Sequence, residues 1–481
     1  MTIEQSLPQL AEGWEWSTLG DVFSEIKNGT TATQNKERRG VPVTRIETIQ
    51  DARFDLQRIG YVDDASPELI RAFQYHNGDI AVSHINSLEH VGKTALYEGV
   101  PEVLLHGMNL LRLRLSHDSL HPRFLHSVMQ ESSFREGVRD RVGRAVNQVS
   151  INQKRLSEVP LPIAPLAEQP RIVAKLDELL ARVNSARDHL SRVPAILKRF
   201  RQAVLLAACS GKLTEEWRGS SAHDWKECTL AQIVREPLRN GHSARASLNG
   251  SGVRTLTLSA VTYGDFSERN TKLTVADPRR VADLWLLPGD ILIERSNSRE
   301  LVGTARLYQG AANFAIFPDL LIRVRLNEEA SPAFLEMVLQ ADSARNYFIS
   351  SAQGTQGSMP KIDQQIILDF PLELPPMKEQ KEIVQRVTVL LTLASQIEQR
   401  INAATVRSDK LTQSVLAKAF RGELVPTEAE LARREGREYE PASVLLERIR
   451  AERTNQVNTP TKQGERLRHA AKSRRSSTVG A

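Results

Sequence analysis

A chain of 481 residues with 40% hydrophobic residues is long enough for two or three domains with well-packed cores. No apolar run approaches the roughly 18 residues of a membrane span, and no basic region followed by an apolar stretch opens the chain. The expected protein has no membrane association and resides in the cytoplasm. Lys plus Arg outnumber Asp plus Glu by 64 to 58, a net charge of +6, which leans toward a polyanionic partner. Cys209 and Cys228 are the only cysteines, too few for a disulfide framework.

Taken in order, the first 165 residues read as a mixed α/β domain. Trp14, Trp16, Leu19 and Val22 suggest a short strand and a helical turn, followed by a loop at Asn28-Gly29. The stretch from Lys27 to Arg45 is polar and basic. Asn77-Gly78-Asp79 is a turn that feeds the strand Ile80 to Val82, and Gly92 to Tyr97 reads as another strand. Leu110 to Leu115 alternates Leu with Arg112 and Arg114, the pattern of a half-exposed strand. Pro122 starts a helix that buries Phe124, Leu125, Val128 and Met129. A basic, amide-rich stretch from Arg139 to Gln153 precedes the closing prolines 160, 162 and 165.

Residues 166–213 form the first of two heptad segments. Apolar or small residues fall at Ile172, Leu176, Leu179, Val183, Ala186, Leu190, Val193, Leu197, Phe200 and Val204, in steps of four and three, the seam of a coiled coil. Pro194 lies inside it and predicts a kink near Ser191, because proline removes a backbone hydrogen bond at a cost of about 3 kcal/mol. Residues 214–376 then repeat the order of the first domain, and 377–424 repeat the helix. Ile383, Val387, Leu390, Ala394, Ile397, Ile401, Ala404, Ser408, Leu411 and Val415 each stand 211 positions after their counterparts (383 − 172). Trp225 answers Trp14, Gly289-Asp290 answers Gly78-Asp79, Asn297 answers Asn86, and Arg323 and Arg325 answer Arg112 and Arg114. The residues between these anchors share almost nothing. Residues 425–481 have no repeat partner and read as a charged helix and a disordered basic tail.

The expected fold class is therefore α+β: two similar mixed α/β domains separated by two long antiparallel coiled-coil helices, with a pseudo-twofold internal repeat. Each apolar stripe needs a partner, and the two within one chain suit each other.

Motifs for catalysis are missing. Val91-Gly92-Lys93-Thr94 lacks the earlier glycine of a phosphate loop, since Ser87 holds that position. Histidines 76, 84, 90, 106, 117, 121 and 126 crowd the first domain without metal-ligand spacing, so no metal site is expected. Leu374-Pro375-Pro376-Met377 lacks the polar head and the aromatic residue with which a methyltransferase grips a flipped base. The chain reads as no enzyme. What recurs is polar, Arg- and amide-rich loops at matching places in both domains. Arg pairs with guanine and Asn or Gln with adenine through bidentate contacts, so these loops suit base readout. The residues expected to face DNA are Lys27, Asn28, Arg38, Arg39, Arg45, His84, Asn86, Arg141, Arg144, Asn147 and Gln148. In the second domain they are Arg239, Asn240, Arg295, Asn297, Arg299, Gln353, Gln356 and Lys361.

Two strings sharpen this reading. Pro165-Leu166-Ala167-Glu168-Gln169-Pro170-Arg171-Ile172-Val173 and Pro375-Pro376-Met377-Lys378-Glu379-Gln380-Lys381-Glu382-Ile383-Val384 each lead into a heptad helix. Those helices end in Gly211-Lys212-Leu213 and Gly422-Glu423-Leu424. Together they resemble the two conserved regions of specificity subunits from type I restriction-modification enzymes, over Trp14 to about Leu424. The resemblance implies two target-recognition domains, each reading one half of a split, asymmetric site on double-stranded DNA. It also implies that the helices act as spacer, and that the chain assembles with two modification (methyltransferase) subunits and with restriction/translocase subunits. S-adenosylmethionine, ATP and Mg would belong to those partners, and this chain would carry no cofactor. A helix of about 40 residues is roughly 60 Å long, the length of some 18 base pairs. The alternatives are a stand-alone nuclease or methyltransferase, which would act on DNA when purified alone, and a coiled-coil scaffold with no DNA affinity.

Overall fold

The computed structural model describes residues 7–115, 120–145, 148–219, 224–248, 250–353 and 359–458. The chain divides into two compact units, residues 1–188 with 405–481, and residues 189–404.

In the first unit a four-stranded antiparallel sheet has the order Glu25–Asn28, Leu110–Arg114, Ile80–Ser83, Thr94–Leu96. Strand Glu15–Thr18 pairs with Pro160–Ile163, so the two ends of the domain close on each other. Helices Pro122–Val128 and Ser132–Arg139 cover one face, the former starting with its proline in the first turn and burying Phe124, Leu125 and Val128. They share a core with Trp14, Leu19, Val82 and Leu113.

The central strand departs from its half-exposed expectation. Arg112 is 1% exposed, although the alternation of Leu and Arg predicts a solvated face. Its guanidinium bonds to the Glu25 carboxylate and, at 2.7 Å, to the carbonyl of Gln74, while Arg114 forks onto Asp79 at 2.8 and 2.6 Å. The acidic partners sit on neighbouring strands or turns, so the strand pattern could not disclose them. Buried arginine is tolerated because each charge is paired and hydrogen-bonded.

The second unit reproduces this framework. Strands Arg239–Asn240, Leu321–Val324, Ile291–Glu294 and Ala305–Leu307 form the same sheet, and Lys226–Thr229 pairs with Pro371–Leu374 in the register of the first unit's closing pair. Arg323, Arg325, Glu236 and Asp290 rebuild the ion network, with Arg325 Nε 2.6 Å from Asp290. The segments that share almost no sequence also keep a common strand pair: Val41–Val43 with Gly60–Val62 in one unit, and Val253–Leu256 with Thr271–Thr274 in the other.

Each long helix is docked by a glutamine at its start. Gln169, fully buried, accepts from the backbone of His121 and donates to the carbonyl of Ala164, both at 2.9 Å. Gln380 accepts from Ser331 at 2.7 Å and donates to Pro375 and Glu329 at 2.8 Å. Beside them Glu168 accepts from Trp14 and from the backbone of Glu428, and Glu379 from Thr214 and Arg218. The repeated Glu-Gln pair is thus a docking device rather than surface decoration.

The helices Gln169–Cys209 and Met377–Phe420 are each unbroken, the first running through Pro194. Within the first unit Ile172 and Leu176 pack in the core that holds Leu416, Ala419 and Phe420, and Arg187 meets Asp409 at 2.8 Å. Within the second, Val204 and Ala208 share a core with Ile383 and Val387, and Arg201 meets Glu398 at 2.7 Å. Rising numbers on one helix meet falling numbers on the other, so the pairing is antiparallel in each unit. Val183 and Leu197 are buried, and Leu179, Leu190, Leu390 and Ile401 are partly so. Ile397 and Leu411 depart from the expected seam, being 36% and 49% exposed. After Ser408 the inward stripe steps by four, so Thr412 takes the place expected of Leu411, its hydroxyl bonded to the carbonyl of Ser408.

After Gly422 the chain folds back onto the first domain. Thr427 caps helix Glu428–Glu435 with a reciprocal Thr-Glu430 box. Helix Ala442–Asn458 inserts Ala442, Leu445, Leu446 and Ile449 into the first unit's core. The expected disordered tail after residue 458 lies outside the described residues.

Candidate nucleic-acid interface

Both units bring their amide-rich loops together at one end of the sheet. In the first, Asn28 faces Leu111 and Ser83 faces Leu110, so the strand ends carrying Asn28 and His84 lie at the same end of the sheet, on either side of the central strand. The chain then runs through strand Ile85–Asn86, onto which a hairpin of Gly143–Ala145 and Gln148–Ser150 adds, with Val149 opposite Asn86. In the second, Asn240 faces Ile322, Glu294 faces Leu321, and a bridge of Ser296 with Lys361, itself paired with Gln353, recreates the hairpin. Gly29 and Gly241 permit this crowding, since a Cβ on either would lie 2.1–2.2 Å from the backbone of Gly107 or of Phe317 and Pro318.

The loop that follows is the same in both units. In the first, the backbones of His90 and Val91 bond to the carbonyl of Ser87, and Gly92 to Ser83. In the second, Leu301 and Val302 bond to Ser298, and Gly303 to Glu294. Asn86 and Asn297 start it, each accepting from the backbone amide of the next residue. Their amide nitrogens donate inward, Asn86 to Ser83 at 3.1 Å and Asn297 to Glu294 at 2.6 Å. Both side chains are occupied in shaping the loop. Burial pushes the Glu294 carboxyl up, against the opposing pull of its bonds from Thr262 and Asn297.

The remaining candidates differ in how far they are engaged. Lys27 is turned inward, donating to the carbonyl of Ala72 at 3.1 Å and lying 5.0 Å above the Phe73 ring. Arg39 pairs with Glu37 and Asp63, Arg45 with Glu47, and Arg239 with Asp283. Arg141 donates to the carbonyl of Gly137, and Asn240 accepts from Gln364. His84 is buried, and burial holds its imidazole below the usual range and so neutral at pH 7. Arg38 is exposed and held at a φ of 59°. Asn28, Gln148, Arg299, Gln353 and Lys361 are exposed and Arg295 half-buried. Arg144 lies on the hairpin strand Gly143–Ala145, while Asn147 and Gln356 lie outside the described residues.

Sequence reasoning missed the clamps on the loop. Arg135 and Arg139 donate to the carbonyls of Glu89 and Leu88, and Arg345 to those of Glu300 and Val302. The available signal was an arginine recurring near the 211-residue offset, at 135 and 345. Among the described residues no group of three metal-binding side chains is found.

Residues 11–191 and 289–405 match the family model described as the type I restriction modification DNA specificity domain. The chain is 34% identical over 467 residues to the EcoKI specificity subunit of Escherichia coli K12, covering 93% of this chain and 97% of that one. It is 32% identical over 460 residues to the StySPI specificity subunit of Salmonella potsdam, covering 92% and 96%. A solved chain from work on complex assembly and conformational transition of the type I R-M system aligns over 87% of this chain and 100% of its own, at a TM-score of 0.67 and 17% identity. The HsdS subunit of Thermoanaerobacter tengcongensis aligns over 88% and 100%, at 0.52 and 18%. With its doubled sheet-and-hairpin domain, its paired helices and these likenesses, the chain belongs to the family of type I restriction-modification DNA specificity subunits.

Proposed function

We propose that the chain is the DNA-recognition subunit of a type I restriction-modification complex, each domain reading one half of a bipartite, asymmetric site. The observation that supports this most strongly is a single scaffold used twice with different exposed residues. The strand order of the sheet, the backbone bonds of the loop and the bridging of the hairpin strand onto it recur, yet Leu88 answers Arg299 and Ser150 answers Lys361. Two unlike surfaces on one framework suit two unlike half-sites. Phosphate contacts supply affinity that falls with salt, and base contacts supply selection at about 1–3 kcal/mol per bidentate pair.

In this reading the long helices fix the spacing of the half-sites. The chain assembles in the cytoplasm with two modification subunits and with restriction/translocase subunits. Those partners bind S-adenosylmethionine, ATP and Mg and perform methyl transfer and cleavage, and this chain performs neither. The test is co-expression with the modification subunits of the same host, followed by genome-wide mapping of methylated bases. A split motif with two different halves is expected. A palindromic motif, or methylation without sequence preference, refutes the proposal.

A further inference from the structure

At the loop tips a shared framework presents a changed, exposed side chain. Ser87 to Gly92 and Ser298 to Gly303 share their backbone hydrogen bonds, their leading asparagine and their arginine clamps. Glu89 and Glu300 are identical and supply clamped carbonyls. Between these fixed points stands Leu88 in one copy and Arg299 in the other, 211 positions apart. Leu88 is 46% exposed. Arg299 is exposed and makes no ion pair or hydrogen bond with any described residue. A rigid loop presents its side chain without the ordering cost of a mobile one, and an exposed leucine at such a tip gains nothing in the free domain.

Resting on the DNA-recognition reading above, we propose that Leu88 and Arg299 are specificity-determining residues. Arg299 donates both guanidinium arms to a guanine edge in one half-site. Leu88 makes apolar contact with a thymine methyl group in the other. The two chemistries follow from the groups each base presents in the major groove.

The test uses the complex reconstituted with its modification subunits and reads both the methylated motif and the salt dependence of binding. Arg299→Leu should relax selection at a single base pair of one half-site, by roughly 5- to 150-fold, and leave the other half unchanged. Replacing that guanine by 7-deazaguanine in the substrate should cost the unaltered complex a similar factor, because N7 is lost. Leu88→Arg should shift preference at one position of the opposite half-site, toward guanine. Arg299→Gln, checked for an unchanged thermal midpoint, guards against loss of fold. Uniform weakening across all sequences with a shallower salt slope would make Arg299 a phosphate contact and overturn the inference. An unchanged motif in both substitutions overturns it as well. A complex without sequence preference before any substitution defeats the underlying reading instead, and the two failures are distinguishable.

Discussion

Replacing Gln380 by alanine strips one fully buried amide of three hydrogen bonds, from Ser331 at 2.7 Å and to Glu329 and Pro375 at 2.8 Å each. A neutral hydrogen bond contributes about 1 kcal/mol net, and a buried donor left unpaired costs about 1–3 kcal/mol. Ser331 is only partly buried, so water recovers some of its loss. The carbonyls retain a second lone pair each. We expect a destabilisation of about 2–3 kcal/mol confined to the docking of the second long helix, hence roughly 30- to 150-fold faster local opening. Hydrogen exchange on the intact chain measures it. Protection should fall in Pro332–Gln340 and in the first turns of Met377–Phe420, and remain in Pro122–Val128. Gln169→Ala should give the mirror pattern, since it serves His121 and Ala164 in the first unit. Unchanged protection near residue 331, or equal loss in both units, would refute the docking role of the glutamine pair.

Gly303→Ala should be costlier than Gly92→Ala. Both glycines have positive φ (76° and 78°), but an added Cβ at 303 meets Phe348 at 2.5 Å, against 3.1 Å to Val138 at 92. Thermal unfolding should show a loss of about 2–4 kcal/mol at 303, combining backbone strain with overpacking. Acid should weaken the first unit before the second. His106 is fully buried and burial pushes its imidazole down to about 3, so the unfolded chain takes up a proton below about pH 6.5 that the folded one refuses. Stability therefore rises with pH across that window, and at pH 5 His106 alone removes about 2 kcal/mol. His106→Gln should flatten the pH dependence of exchange in the first unit, and an unaltered slope would contradict the assignment. Glu294→Gln should leave the loop formed, because a flipped amide serves both Asn297 and Thr262. It should also remove the decline in second-unit stability that a raised carboxyl pKa imposes as pH climbs from about 4.5 through the folded value. Melting curves of the variant from pH 4 to 7 would reveal any residual decline.

The duplicated architecture was legible because turns and core positions recur at a fixed offset. Gly78-Asp79 and Gly289-Asp290, or the heptads after Ile172 and Ile383, need only local rules. Harder to see were interactions whose partners lie far along the chain. Arg112 and Arg114 look like a solvated face until Glu25 and Asp79 are found beside them. Two of the stretches expected at the interface, the hairpin and the loop after Asn86, do meet. Individual side chains were less readable. The asparagines that look ready to grip adenine are bonded to their own loop, and Lys27 is spent on Ala72 and Phe73. In the helices the four-and-three spacing found the buried Ile172, Leu176, Val183, Leu197, Ile383 and Val387 but not the exposure of Ile397, and after Ser408 one step of four moved Thr412 inward at the expense of Leu411.

The return of residues 442–458 to the first unit's core has a consequence for biosynthesis. The second unit is continuous, residues 189–404, and can condense as soon as it leaves the ribosome. The first is assembled from both ends of the nascent chain, and Leu445 and Leu446 must emerge before its apolar surface is covered. The earlier-translated half therefore completes its fold later, and a message cut short after residue 424 would release a polypeptide whose leading half exposes a greasy cleft to chaperones and proteases.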